Sequence, residues 1–231
     1  MRILLNLNLA LRANVPLSRL RERVRREGNG HGVFHYQKWI FAAPVIFLLY
    51  IPVLCRAETA PSWNLQQLML SLAQVKEAKA KFVERKFLGV LKQPLESTGT
   101  LLFQAPDHVE KHTLTPKLES LILDHGVLTI EIKTRNIKRT LVIQEYPAIW
   151  AFVESIRSTL AGDLATLERF YKIKLEGDSA HWKVQLLPIE AKIRDVVSEV
   201  LISGHGHSVD SIETFELNGD HSLMKVVEDT P

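Results

Sequence analysis

Two histidines in the stretch SGHGHS, His205 and His207, are the most conspicuous candidates for chemistry, because imidazoles are common metal ligands. No cluster of carboxylates or cysteines accompanies them, so the pair reads as a polar turn between two strands. Hydrolytic motifs are missing too: no serine sits in a G-x-S-x-G elbow and no H-E-x-x-H occurs. No G-x-x-x-x-G-K-[ST] loop offers to cradle a phosphate. The carboxylates are scattered, with Glu131 and Glu213 at solvent-facing strand positions. The expectation is a protein that is not an enzyme, with no catalytic set, no cofactor and no metal.

What is unusual is the apolar inventory. Leu101, Phe103, Leu121, Leu123, Leu128, Ile130, Leu141, Ile143, Trp150, Phe152 and Phe170, with Trp182, are expected to face one side of a curved sheet. These residues either fill a core or, the first eleven of them, line an apolar cavity. A wide sheet with few helices cannot fill its own concavity, and the leftover space suits a lipid chain. No polar cluster is expected among the inward-facing positions.

The elements that must position these residues follow from periodicity. In WNLQQLMLSLAQVKEAKAKFV, the spacing of Leu65, Leu68, Leu72, Val75 and Ala78 predicts an amphipathic helix that gives way to a strand near Phe82. The period then falls to two through FVERKFLGVLKQPLESTGTLLFQAPDHVEK, broken at Gln93-Pro94. HVEKHTL forms a short polar strand, and LESLILDHGVLTIEI a hairpin turning at Asp124-His125-Gly126. IKRTLVI adds another strand. Pro147 suits a first helical position, with Ile149, Phe152, Val153, Ile156 and Leu160 on one face and Gly162 as the terminator. Asp163 then caps a second short helix. A hairpin around Gly177-Asp178, a strand from about Val196 to Ser203, and a closing hairpin at Asn218-Gly219 complete the chain. The fold class is therefore α+β, mainly antiparallel: a curved, incompletely closed barrel of 9–11 strands with helices in or over its concave side.

Charge divides the 231-residue chain. Residues 1–57 hold nine Lys and Arg against Glu22 and Glu27, while residues 58–231 hold 20 basic and 24 acidic residues, a net −4. The folded part thus lacks the basic footprint of a nucleic-acid binder. Trp39 to Leu54 is an apolar run of the length of a signal-peptide core, interrupted by Pro44 and Pro52 and followed by Cys55-Arg56-Ala57. Cleavage after Ala57 is expected, the alternative being an uncleaved inner-membrane anchor. Leu54 does not suit a lipobox before Cys55, so lipidation there is not expected, and the mature chain would be free of cysteine. Residues 1–38 form a basic extension, read as an extended translation start or disordered, with a surface-bound amphipathic helix as the alternative. Residues 39–57 are the export segment and residues 58–231 one domain.

The order of these parts resembles the LolA family of periplasmic lipoprotein carriers. The resemblance is carried by F.ERKFLGVLKQPLESTGTLLFQAPDHVEK, by the D-G turn strand LESLILDHGVLTIEI, and by His181-Trp182-Lys183-Val184-Gln185-Leu186-Leu187-Pro188, and it runs from about Trp63 to Val227. It implies an incomplete antiparallel barrel lidded by helices, here 148–170, whose interior binds acyl chains and carries them across the periplasm. It further implies a monomer that handles a lipidated protein or a lipid or glycolipid cargo, with a transient inner-membrane donor, an outer-membrane acceptor and no nucleic acid. The alternative is a lipid-sensing or protein-interaction module on the same fold. One departure stands out: the arginine that precedes the second-strand proline in the lipoprotein carriers, and holds the lid there, is Ala105 here. That latch is absent, which leaves lipoprotein carriage open against another lipidic cargo.

Overall fold

Alternating inward residues over eleven short segments build one antiparallel sheet. The computed structural model describes residues 63–228. The expected extension, export segment and cleavage site at residues 1–57 lie outside the described residues. Helix α1 spans Leu65–Leu72. Strands β1 (Glu77–Phe87), β2 (Leu95–Gln104), β3 (His108–Thr115), β4 (Glu119–Asp124), β5 (Val127–Ile132) and β6 (Ile137–Val142) follow as a meander. Helices α2 (Pro147–Ala161) and α3 (Leu164–Phe170) then cross to β7 (Tyr171–Gly177) and β8 (Trp182–Pro188). A one-turn helix α4 (Ala191–Arg194) precedes β9 (Glu199–His205), β10 (Ser208–Phe215) and β11 (His221–Glu228).

The strand order is β6-β5-β4-β3-β2-β1-β11-β10-β9-β8-β7, so the first and last strands of the sequence pair at its centre. The sheet is not closed: β6 and β7 are its two edges, joined through α2 and α3. Lys138, Arg139 and Thr140 keep the β6 edge exposed and polar, which discourages edge-to-edge pairing.

Turn chemistry follows the sequence. His125 and Gly126 have φ of 46° and 78°, both left-handed as a two-residue hairpin turn requires. The closing hairpin is wider than an Asn-Gly pair alone would turn: residues 216–220 link β10 to β11, and of Asn218 and Gly219 only Gly219 is left-handed, with φ 84°. Pro147 opens α2, Gly162 ends it with φ 68°, and the Asp163 carboxylate accepts from the Thr166 N–H at 3.0 Å.

Two expectations are corrected. The first helix stops at Leu72, and Val75 and Ala78 lie beyond it. The strand begins at Glu77 rather than near Phe82, because Ala78 and Ala80 pair opposite Phe103 and Leu101. EAKAK reads equally well at period two, and strand pairing overrides its helix propensity. Likewise the strand expected from Val196 begins at Glu199, after α4.

The core has two parts. One joins α1 and α3 to β7–β10 through Leu68, Leu72, Leu167, Trp182, Val184 and Ile202. The other lies under the start of α2 and holds Leu123, Leu128, Ile130, Leu141, Ile143 and Ile149. Glycine makes room in the first: a Cβ on Gly204 would lie 2.4 Å from the Trp182 ring. The Trp182 indole N–H in turn donates to the Gly206 carbonyl at 3.1 Å. The glycines of SGHGHS thus seat a tryptophan.

A titratable cluster lies elsewhere on β3. His108 contacts Asp124 through Nδ1 at 3.0 Å and Glu110 through Nε2 at 2.8 Å, and His112 Nε2 reaches Glu110 at 2.6 Å. A neutral imidazole donates only one N–H, so two flanking carboxylates favour the imidazolium. Hydrogen bonds to Asp124, then Glu110, raise the His108 pKa above its usual 6.5. The histidines in turn hold Glu110 and Asp124 below their usual 4.5 and 3.8. The His108 contribution is complete below pH 6.5 and is lost as pH rises through the raised value, whereas the carboxylate contribution is lost on acidification below 4.5. The thermal midpoint of wild type is therefore expected to exceed that of His108→Gln most between pH 4.5 and 6.5, the gap narrowing as the pH rises through the raised His108 value. A gap that does not change with pH contradicts this assignment.

Candidate functional site

Helix α2 has two dissimilar faces. On one, Ala151, Ser155, Ser158 and Thr159 are buried, small enough for close approach. The Ser155 and Thr159 hydroxyls return to the helix itself, donating to the Phe152 and Ser155 carbonyls at 2.6 Å each. Tyr171, at the start of β7, donates its hydroxyl to the Ala151 carbonyl at 3.0 Å, and burial raises its pKa so that it remains a donor. At the C-terminal end a Cβ on Gly162 would lie 2.1 Å from the Met69 carbonyl, so only glycine allows α1 and α2 to meet there.

The other face of α2 carries Ile149, Phe152, Val153, Ile156 and Leu160, and all five line a cavity between the helix and the sheet. The cavity volume is about 670 Å³, within the usual range of small-molecule sites. Register supplies its floor. Ala78, Phe103, Val109, Leu123 and Leu128 stand opposite one another across β1 to β5, and Ala80, Leu101, Lys111 and Leu121 form the next row across β1 to β4. Its lining extends to exposed residues at the other end of these strands, among them Leu95, Glu96, Lys117 and Arg135.

Of the eleven residues expected at a cavity, Leu101, Phe103, Leu121, Leu123, Leu128 and Phe152 line this one. Ile130, Leu141 and Ile143 are not among its lining residues; toward the β6 edge they pack with Ile149 into the core. Trp150 and Phe170 are not in the lining either. Their rings meet edge to face, with centroids 5.1 Å apart, and join the core around α1 and α3. Which of the inward residues line the cavity depends on where α2 lies across the sheet.

The expectation of no inward polar cluster is corrected. Glu84, Lys86 and Lys111 all line the cavity. Lys111 Nζ lies 2.7 Å from one Glu84 oxygen and 4.9 Å from the centre of the Phe82 ring, and Lys86 Nζ lies 3.5 Å from the other oxygen. Gly99, opposite Phe82, leaves space for that ring, since a Cβ there would come within 2.8 Å of it. Burial opposes ionisation of Glu84, but the charges of Lys111 and Lys86 outweigh it and hold its pKa below the usual value. Burial lowers the pKa of Lys111, with Glu84 opposing and Lys86 adding to the lowering. The asymmetry has a plain cause: one carboxylate faces two ammoniums. A signal for the cluster was present, because Glu84 and Lys86 continue the period-two phase of Ala78, Ala80 and Phe82.

Among the described residues, no group of three or more His, Cys, Asp or Glu is arranged to hold a metal ion. His205 pairs with Asp210 at 2.9 Å beside the turn at Gly206.

At the Ala105-Pro106 turn the sheet meets the helix through an arginine after all. Arg157 of α2 donates from Nη1 to the Pro106 carbonyl at 2.9 Å. The same guanidinium donates to Glu154 at 2.7 Å, Ser158 at 2.8 Å and Asp163 at 3.1 Å. The donor stands on the helix and the acceptor carbonyl on the sheet.

The described residues thus form an unclosed antiparallel half-barrel roofed by a helix over a largely apolar cavity. The chain belongs to the family of outer membrane lipoprotein carrier protein LolA-like proteins, whose model matches residues 57–226. That is a binding and carrier family. Among solved structures the chain is similar to a LolA superfamily protein, NE2245, from Nitrosomonas europaea, at 8% identity over 73% of this chain and 95% of that one, with a TM-score of 0.37. It is also similar to the Pseudomonas aeruginosa MucA/MucB complex, at 10% identity over 70% of this chain but only 55% of the other, with a TM-score of 0.40. LprF from Mycobacterium bovis matches at 9% identity over 74% of this chain and 96% of that one, with a TM-score of 0.31. No curated protein matches the sequence.

The Arg157 contacts yield a direct expectation. Arg157→Met breaks the tether to Pro106 and leaves the buried Glu154 without its cation, costing roughly 3 kcal/mol. Amide exchange in α2 should accelerate well beyond that in β8 and β9. Equal acceleration throughout would mean that Arg157 supports the whole domain rather than the helix contact.

Proposed function

We propose that the protein is a periplasmic carrier that binds acyl chains of a lipoprotein or other lipidic cargo and moves them between inner and outer membrane. The observation that carries this reading is the apolar cavity of about 670 Å³ beneath α2. Each methylene transferred into such a space gains about 0.8 kcal/mol, so one acyl chain supplies a large driving force without any covalent chemistry. Membership of the LolA-like family supports the reading. Export, a monomeric state, a membrane donor and a membrane acceptor are parts of the same proposal. Cargo enters as α2 shifts away from β1–β5, and the Arg157–Pro106 contact sets the resting position of the helix.

Two measurements test it. The mature protein purified from its native periplasm is expected to release an acylated molecule on solvent extraction, identified by mass spectrometry. Recovery of no lipid, together with no binding of a fluorescent fatty acid, contradicts carriage. Leu123→Glu places a carboxylate on the apolar row of the cavity floor and is expected to weaken fatty-acid binding more than tenfold, since burying an unpaired charge costs several kcal/mol. Unchanged affinity in a folded variant would place the ligand elsewhere.

A further inference from the structure

The charged residues in the cavity are not explained by a purely apolar cargo. Glu84 is 6% exposed at its side chain, and Lys86 and Lys111 are 19% exposed each. A buried ion pair seldom repays its desolvation, and well-packed apolar residues in its place are commonly neutral or stabilising. Two ammoniums share the one contacting carboxylate, and Glu119 adds only a longer-range attraction on Lys111. The charged end of the lining holds Lys86, Lys111, Lys117 and Arg135 against Glu84, Glu96 and Glu119, one surplus positive charge, and Lys86 works with burial to depress the Lys111 pKa.

Position adds to the case. Lys111 lies in the row of Leu101 and Leu121, next to the wholly apolar row of Phe103 and Leu123 under α2. Glu84 and Lys86 lie two and three rows further along β1, and Lys86 stands opposite Leu95, an exposed part of the lining. Rows are separated by two residues, about 6.6 Å. The cavity therefore runs from an apolar end to a charged end with a net positive surplus.

We propose that the natural ligand is a single-headed anionic amphiphile, a long-chain carboxylate, whose chain lies under α2 and whose carboxylate is held between Lys86 and Lys111. A monoanion matches the one surplus charge, whereas a phosphate monoester at −1.5 to −2 exceeds it by roughly half a charge to one charge. Both ammoniums donate hydrogen bonds to the incoming carboxylate, and Glu84 shares them. Acyl chains that end in an ester or amide, lacking this charge, are the weaker cargo. The inference rests on the carrier reading and sharpens it by naming the headgroup.

The test uses the full-length protein and a fluorescent polyene fatty acid, with its methyl ester as the uncharged control. Wild type is expected to prefer the acid by about tenfold or more, the effect of hydrogen bonds to a charged group. Lys86→Met should narrow that preference to about twofold, and Glu84→Gln should widen it by removing the competing carboxylate. Near-ultraviolet circular dichroism establishes that each variant is folded. If Glu84→Gln fails to fold, Lys86→Met alone decides, since its ion pair is the longer one at 3.5 Å. Equal binding of acid and ester by wild type overturns the headgroup assignment and leaves the carrier reading standing. A preference that Lys86→Met does not alter overturns it too. Failure of both probes to bind contradicts the carrier reading itself.

Discussion

Eleven strands present a larger concave face than the helices of this chain cover by close packing, and much of the rest of the structure follows from that mismatch. Helix α2 has fifteen residues, about 22 Å of length, and is the element that spans from the β6 edge toward β7. The part of the face formed by β7–β9 is filled by α1, α3 and Trp182, whereas Val209 and Ile212 of β10 and Met224 of β11 line the cavity. Over β1–β5 the helix rests on a floor whose central strand offers only Ala78 and Ala80 at the corresponding positions. Small residues at the middle of the sheet keep the space hollow. A native interior is otherwise packed to crystal-like density, so a void of this size is a feature the sequence maintains.

The same mismatch accounts for how α2 is held. Its small-residue face is fixed to α1 and β7, with Tyr171 bonded to the Ala151 carbonyl. Its cavity face touches apolar side chains without interlocking tightly, and near its C-terminal end Arg157 reaches Pro106. Directional bonds thus anchor one side of the helix while the other meets a non-directional apolar surface. Such a surface accepts an acyl chain in place of the contacts it loses, because burial of methylenes depends on area rather than on geometry. Ala105 carries no guanidinium, and the carbonyl of the adjacent Pro106 accepts instead from Arg157, 52 residues after Ala105 in the chain.

The parts legible in the sequence were those with local causes. Strand alternation, the His125-Gly126 turn, the Pro147 and Gly162 helix limits and the Asp163 cap are each set by the conformational preferences of a few neighbouring residues. The cavity-facing side of α2 was legible for the same reason. Three features were not. EAKAK is ambiguous between two periods, and pairing with β2 decides it. The division of Leu123 from Leu141, or of Phe152 from Trp150, depends on where α2 lies across the sheet, which no local pattern encodes. The buried charges escaped notice because Glu84, Lys86 and Lys111 look like surface residues of amphipathic strands until the register brings them together across three strands.

The central claim is that an acyl chain occupies the space between α2 and the sheet, and intermolecular nuclear Overhauser effects test it most directly. With isotopically labelled protein and an unlabelled long-chain fatty acid, the account predicts contacts from chain methylenes to the methyl groups of Leu101, Leu121, Leu123, Val153 and Ile156. Contacts confined to exposed apolar residues such as Val90, Leu91 and Leu217, with the cavity methyl groups unshifted, would contradict it.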